Sequence, residues 1–368
     1  AYSTGLYFGR QAESVLGKDR VAQLKAYKAK VDPGNVLNPG KVYGAGGMLD
    51  FIMGAATTFE SIIRPIANKA TPPDNSLQFT KEINGIPGDV AFMAYACARC
   101  GYCVNTCEQY SGRGWESHSP RGKYAYIREI LAGREKWDRR SVDTILVCTT
   151  CEVCNTRCQL DIPVEHNWMT LRGKLVNEEK RGTFPPFEMM AESLRSENDI
   201  WACKSEHRVD WLPADVKEKL VEKSDVLYFA GCTASFAEKD IAEASLRLIQ
   251  DAGYSVAYMG EDETCCGIPM KVAGKWDLFE EIYEKNTAEA RKRGAKTIVT
   301  SCPACGLVWK DLYANIAAQR GDEYEFEVKH YSELIAPALA DGTIQLKGDA
   351  FEGKTLTFHD SCHIGRAQ

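Results

Sequence analysis

The sequence predicts an α-helical region followed by an α/β region, and three observations carry that prediction. Between Cys97 and Cys158 the cysteines fall in two four-cysteine runs set among helical patterns. From Asp225 onward, short apolar segments alternate with longer amphipathic ones, as strands joined by crossover helices do. Five more cysteines, Cys232, Cys265, Cys266, Cys302 and Cys305, fall at or just past the carboxyl ends of those predicted strands.

At 368 residues and 44% hydrophobic content, the chain can bury two or three separate cores. Its formal net charge of -6 argues against a nucleic-acid partner, which would select a basic face. Fifteen cysteines clustered in C-x-x-C runs, with no secretory segment ahead of them, read as metal ligands in a reducing, cytoplasmic compartment. The longest uncharged stretch, Thr297 to Trp309, has 13 residues. A bilayer crossing takes roughly 20 apolar residues, so no membrane-spanning helix is expected.

Residues 1–45 read as a helix from Ala12 to Lys30, stopped by Asp32-Pro33-Gly34 and followed by the turn Asn38-Pro39-Gly40. Residues 46–88 hold an amphipathic linker helix, Met48 to Ile66, and a polar loop at Thr71-Pro72-Pro73-Asp74. The polar face of that helix lacks the Lys/Arg row typical of interfacial helices. Ala1 stands where an initiator methionine would, so the chain reads either as one that has lost its methionine or as an internal piece.

Residues 89–222 carry the two runs. Cys97, Cys100, Cys103 and Cys107 form C-x-x-C-x-x-C-x-x-x-C, and Cys148, Cys151, Cys154 and Cys158 repeat it. Three thiolates two residues apart wrap one 4Fe-4S cubane, while the fourth reaches the neighbouring cluster. One cubane is therefore expected on Cys97, Cys100, Cys103 and Cys158, and the other on Cys148, Cys151, Cys154 and Cys107. Structural zinc, the alternative for C-x-x-C pairs, fits two identical four-cysteine runs poorly. His118 and His166 lie close to the runs and read as surface or supporting side chains rather than ligands. Glu108 and Gln159 stand where bacterial ferredoxins place proline. The insert, with Ser119-Pro120-Arg121-Gly122-Lys123 leading into a helix from Tyr124 to Ala132, resembles the all-helical ferredoxin domain of the heterodisulfide reductase and succinate dehydrogenase families.

Residues 223–345 form the α/β region. Strands are expected at Val226–Ala230, Ser255–Met259, Thr297–Thr300 and Glu325–Lys329, with a further one at Leu356–His359. Helices are expected at Ala237–Ala252, Trp276–Arg293 and Leu307–Ala318. Cys232, the pair Cys265-Cys266-Gly267 and Cys302-Pro303-Ala304-Cys305 fall where ligands gather in open α/β sheets. Five thiolates exceed the needs of one cubane, which points to an unusual cluster or a redox-active thiol. The arrangement resembles the cysteine-rich CCG domain of the catalytic heterodisulfide reductase subunit and of related subunits in glycerol-3-phosphate, lactate and thiol:fumarate redox enzymes. By that resemblance, Cys232, Cys265, Cys266, Cys302 and Cys305 hold a noncubane 4Fe-4S cluster in a Rossmann-like α/β domain.

Residues 346–368, through His359-Asp360-Ser361-Cys362-His363-Ile364-Gly365-Arg366, resemble the opening of a second, incomplete CCG unit. The remainder of that unit is expected beyond the sequence. Cys203 belongs to neither group and reads as a small apolar residue. The motif VDPGNVLNPGKV, residues 31–42, resembles the C-terminal tail of FAD-linked oxidases of the glycolate and D-lactate dehydrogenase type. That resemblance implies an FAD site upstream and oxidation of a small 2-hydroxy acid.

Three functions follow as expectations. The chain passes electrons singly from a flavin site through the cubanes to the CCG cluster, or it cleaves a disulfide at that cluster, or it is a non-catalytic subunit. The implied partners are other redox subunits: a flavoprotein, an electron-transfer flavoprotein, or a membrane cytochrome or quinone-reducing subunit that would hold it at the inner face of the membrane. Neither a G-x-S-x-G elbow, a P-loop nor a strand-to-helix G-x-G-x-x-G is present to support hydrolase or nucleotide-binding readings.

Overall fold

The computed structural model describes residues 13, 16–36, 55, 81–346, 348, 351–359 and 361–366. The chain divides into two compact units, Ala1–Gln78 and Phe79–Gln368. In the first, helix α1 (Lys18–Val31) falls on the expected segment and buries Val21. It stops at Asp32, whose N–H donates to the Lys28 carbonyl at 2.8 Å and whose carboxylate accepts from Val36 N–H at 2.9 Å. The linker helix expected at Met48–Ile66, apart from Ala55, and residues 37–42 of the 31–42 motif lie outside the described residues.

The second unit opens with helices only. Helix α2 (Gly88–Ala96) buries Val90, Ala91 and Ala94 and delivers the chain to Cys97. Helix α3 (Pro120–Leu131) starts at Ser119, whose hydroxyl accepts from Gly122 N–H at 3.2 Å, with Pro120 at the first helical position, where its missing N–H costs nothing. Helix α4 (Arg139–Leu146) begins with a reciprocal Asp138–Ser141 capping box. Helix α5 (Val164–Arg172) runs into a π-helical turn at Gly173–Glu178. Their apolar faces share one core, including Ile86, Tyr124, Ile127, Ile145, Trp168 and Leu171.

Beyond this region stands a parallel sheet of five strands among the described residues: β1 (Leu220–Val221), β2 (Val226–Phe229), β3 (Val256–Tyr258), β4 (Thr297–Thr300) and β5 (Glu327–His330). Their order is β1-β3-β2-β4-β5. The registers Val226↔Val256 and Val226↔Thr297 align the central three. Strands β2, β3 and β4 are buried on both faces, as in a sheet covered by crossover helices. Those helices are α6 (Lys239–Asp251), α7 (Trp276–Lys292) and α8 (Tyr313–Arg320).

Four of the five expected strands form, each within two residues of its expected bounds. The strand expected at Leu356–His359 does not: these residues are coil, and Leu356 and Phe358 stand exposed. A strand exists only through a ladder with a neighbour, and local alternation cannot reveal that none is alongside. Conversely, β1 is absent from the expected strands, because two residues carry no readable period; its pairing with β3 creates it. The helix expected from Leu307 begins four residues earlier, at Pro303, and passes through a π-helical segment, Val308–Leu312, before α8.

Candidate metal centres

The helical region brings the eight cysteines around two cavities. Cys97, Cys100, Cys103 and Cys158 line the first, walled by Tyr124, Ile162 and Val164. Cys107, Cys148 and Cys151 line the second, with His118, Lys123, Glu165 and Trp168. Cys154 and Pro120 line both, so the cavities adjoin. The fourth cysteine of each run thus lines the cavity of the other run. Among the described residues, no three His, Cys, Asp or Glu side chains converge as a mononuclear metal site requires.

An arginine grips each cavity from behind. Arg128 on α3 donates to the carbonyls of Ala94 at 2.5 Å, Tyr95 at 3.1 Å and Cys97 at 2.7 Å. Arg172 at the end of α5 is fully buried and donates to the carbonyls of Ile145, Leu146 and Cys148, the last at 2.6 Å, and to that of Val272 in the α/β region at 2.9 Å. A planar fork of donors suits several carbonyls at once, which an ammonium cannot match. Backbone N–H groups also aim at sulfur: Ile162 donates to Cys158 Sγ at 3.4 Å. Such contacts stabilise negative charge on a thiolate. Burial pushes the Cys103 thiol up to about 11. His118, close to Cys107, is buried rather than a surface residue: the Cys107 thiol donates to its carbonyl at 3.9 Å.

The five remaining candidates meet at the carboxyl edge of the sheet. Cys232 follows β2, Cys265 and Cys266 follow β3, and Cys302 and Cys305 follow β4. The chain leaves β2 toward β3 and returns past it to β4, so this edge contains the topological switch point at which open α/β sheets bind ligands. Cys232 Sγ lies 3.4 Å from Cys265 Sγ. Cys305 donates to Cys302 and draws that thiol down to about 6. Two glycines permit the approach. Gly231 has φ 76°, and a Cβ there would stand 3.1 Å from Cys305 Sγ. Gly267 has φ 84°, and a Cβ there would meet Phe279 at 2.8 Å.

The supports of this cysteine group went unread in the sequence. Glu263 and Arg208 are both fully buried and paired at 3.2 Å. The Glu263 carboxylate accepts from the N–H groups of Ala230 and Gly231, each at 2.9 Å, and so holds the turn that presents Cys232. Arg208 donates to the Asn198 carbonyl at 3.2 Å, which also accepts from Cys265 N–H at 2.9 Å. Burial raises the Glu263 carboxyl, and Arg208 with the two N–H groups works against that rise. On the other side, Asn286 donates to the Cys265 carbonyl at 3.0 Å and Tyr313 Oη to that of Cys266 at 2.9 Å. One cue was available: Glu263 stands two residues before Cys265, the first of the cysteine pair. Glu263→Gln, which leaves the Arg208 charge buried and unpaired, is expected to cost roughly 3–5 kcal/mol. Urea unfolding reads this directly, and a loss below about 1 kcal/mol would contradict the lock.

Cys203 remains apart from both groups, its thiol donating to the Trp201 carbonyl at 3.8 Å. A small cavity opens beside Cys302, lined by Lys310, His330 and Glu333 and by His363 of the C-terminal segment. From the same segment, Arg366 donates to the Cys151 carbonyl at 2.7 Å. No helix among the described residues is long and apolar enough to cross a membrane.

A family model described as a 4Fe-4S dicluster domain matches residues 96–163, and one described as a cysteine-rich domain, CCG, matches residues 226–310. A component of the dihydromethanophenazine:CoB--CoM heterodisulfide reductase of Methanosarcina mazei is 30% identical over 289 residues, covering 74% of this chain and 69% of that protein. The corresponding component in Methanosarcina barkeri is 30% identical over 292 residues, with the same coverage of 74% and 69%. An EtfAB:quinone oxidoreductase of Syntrophomonas wolfei is 27% identical over 314 residues, covering 74% of this chain and 43% of that protein. No solved structure matches this chain. The dicluster cysteines and the CCG cysteines both point to iron–sulfur clusters, and with this extent of shared sequence the chain belongs to the heterodisulfide reductase family of iron–sulfur oxidoreductases represented by the Methanosarcina proteins.

Proposed function

We propose that this chain is a three-centre electron relay working between a flavin dehydrogenase site and a CCG cluster. One cubane is held by Cys97, Cys100, Cys103 and Cys158, the other by Cys148, Cys151, Cys154 and Cys107. A noncubane cluster is held by Cys232, Cys265, Cys266, Cys302 and Cys305. The donor sets fit: eight thiols line two adjoining cavities, with Cys154 shared between them, and five crowd one sheet edge. Bound clusters supply one-electron storage; the chain's own residues place them and set their electronics.

The observation that carries this reading is the wiring of the second cavity to the α/β region. Arg172 joins the Cys148 carbonyl to that of Val272, and Arg366 joins the C-terminal segment beside Cys302 to the Cys151 carbonyl. The cubane nearer the CCG centre is therefore the one on Cys107, Cys148, Cys151 and Cys154. The resemblance of residues 31–42 to flavin-linked oxidases supports a 2-hydroxy acid as the distant electron source.

A second reading, reductive cleavage of a disulfide at the CCG centre, is favoured by the cavity beside Cys302 and by the name of the Methanosarcina relatives. Such cleavage consumes two electrons and two protons and yields two thiols.

Low-temperature EPR with iron and sulfide counts, on anaerobically purified protein before and after a thiol oxidant, tests the relay. About twelve irons, two coupled cubane signals on reduction and a third signal on oxidation are expected. About eight irons without a third signal would leave a two-cubane relay and remove the CCG centre from the proposal.

A further inference from the structure

The two cubane cavities differ in charge. Arg99, Arg121 and Arg157 line the cavity of Cys97, Cys100, Cys103 and Cys158, and no carboxylate of the described residues lines it. The other cavity is lined by Glu108, Glu152 and Glu165 against Lys123 and His118. In a chain of net charge -6, three arginines with no acid in the same lining form a local positive field.

They also differ in access. The second cavity is tied to the α/β region through Arg172 and Arg366. Around the first, Arg99 and Arg157 are exposed. Tyr102 and Leu160 lie beside them, 53% and 50% exposed. Arg121 is ion-paired with Glu116 at 2.6 Å, while Arg99 and Arg157 have no ion pair among the described residues. Arginine and tyrosine around an apolar patch have the composition of protein interfaces, and unpaired rim charges steer a partner of opposite sign.

We propose that Arg99, Tyr102, Arg157 and Leu160 form the docking face for a protein electron carrier with an acidic surface over its redox group. This rests on the cluster reading above and adds the entry point and the partner's chemistry. At each encounter the reduced carrier loses one electron and the Cys97 cubane gains it. No bond forms or breaks, and no proton is required.

The test is stopped-flow reduction of the anaerobic, cluster-loaded chain by two probes: flavodoxin hydroquinone, an acidic flavin protein, and methyl viologen radical, a small cation. For wild type, the flavodoxin rate should fall steeply with ionic strength. In Arg99→Glu/Arg157→Glu it should drop by about ten-fold or more at low salt and lose most of its salt dependence, while the viologen rate rises. Opposite movements of the two rates separate docking from a shifted cluster potential or damaged folding, either of which would move both rates the same way. The neutral pair Arg99→Gln/Arg157→Gln should fall between. A salt-independent wild-type rate, or equal flavodoxin rates in wild type and both variants with iron retained, overturns the docking face alone. Wild-type protein carrying no iron or sulfide would overturn the cluster reading beneath it.

Discussion

Replacing Cys107 with serine is expected to destroy the cluster on Cys148, Cys151 and Cys154, some 40 residues away in sequence, and to spare the one on its own neighbours Cys97, Cys100 and Cys103. Cys107 lines the cavity of the second run, while the place it would take in a sequential arrangement is filled by Cys158. About four of roughly twelve irons should be lost, with one reduced cubane signal remaining free of the broadening that a coupled pair shows. Cys158→Ser should remove the opposite cluster. The pair of variants is decisive because ligation within each run predicts the reverse pattern from the same two proteins. Activity through the relay should disappear in both, so the assignment rests on which signal survives.

Arg172→Met is expected to be the most damaging substitution away from a cysteine. The side chain is fully buried, and its fork satisfies the carbonyls of Ile145, Leu146 and Cys148 together with Val272 across the junction with the α/β region. Methionine fills similar space but donates nothing, so these carbonyls would lose their charged donor in a region water cannot easily reach. A loss of roughly 3–5 kcal/mol follows, read from the urea midpoint. Arg172→Lys keeps the charge but not the fork and should recover only part of the loss. The EPR signal of the Cys148 cubane should shift with either variant, since its loop loses its anchor, while the Cys97 signal, anchored by Arg128, stays in place. An unchanged midpoint in the Met variant would mean that the carbonyls find other donors and that Arg172 carries no structural role.

The parallel between Arg128 and Arg172 has a simple physical basis. Helices α2 and α4 end just ahead of the two cysteine runs and leave their last carbonyls without intrahelical partners. Each run is followed by a helix that can return one guanidinium to those carbonyls, and in both halves it does. At the sheet edge the same need is met by different groups. Glu263 takes the N–H groups of the Cys232 turn, and Asn286 and Tyr313 supply donors to the carbonyls of the cysteine pair.

Sequence by itself determined the elements whose information is local. Cysteine spacing picked out the eight cysteines that line the two adjoining cavities, because a cluster motif constrains residues two and three apart. The succession of short apolar and longer amphipathic segments found β2, β3, β4 and β5 and the crossover helices, and burial on both faces is written into the consecutive apolar residues of β2, β3 and β4. Only the tertiary structure decided what depends on a neighbour distant in sequence. The segment Leu356–His359 has strand composition but no ladder, while β1, two residues long, exists because β3 lies beside it. Arg172, Arg208 and Glu263 belong to no motif in the sequence, and folding buries them against carbonyls, N–H groups and, for the last two, each other. A lone charged residue in sequence carries no mark of its future burial. What makes it functional is the set of unpaired backbone groups that the rest of the chain brings to it.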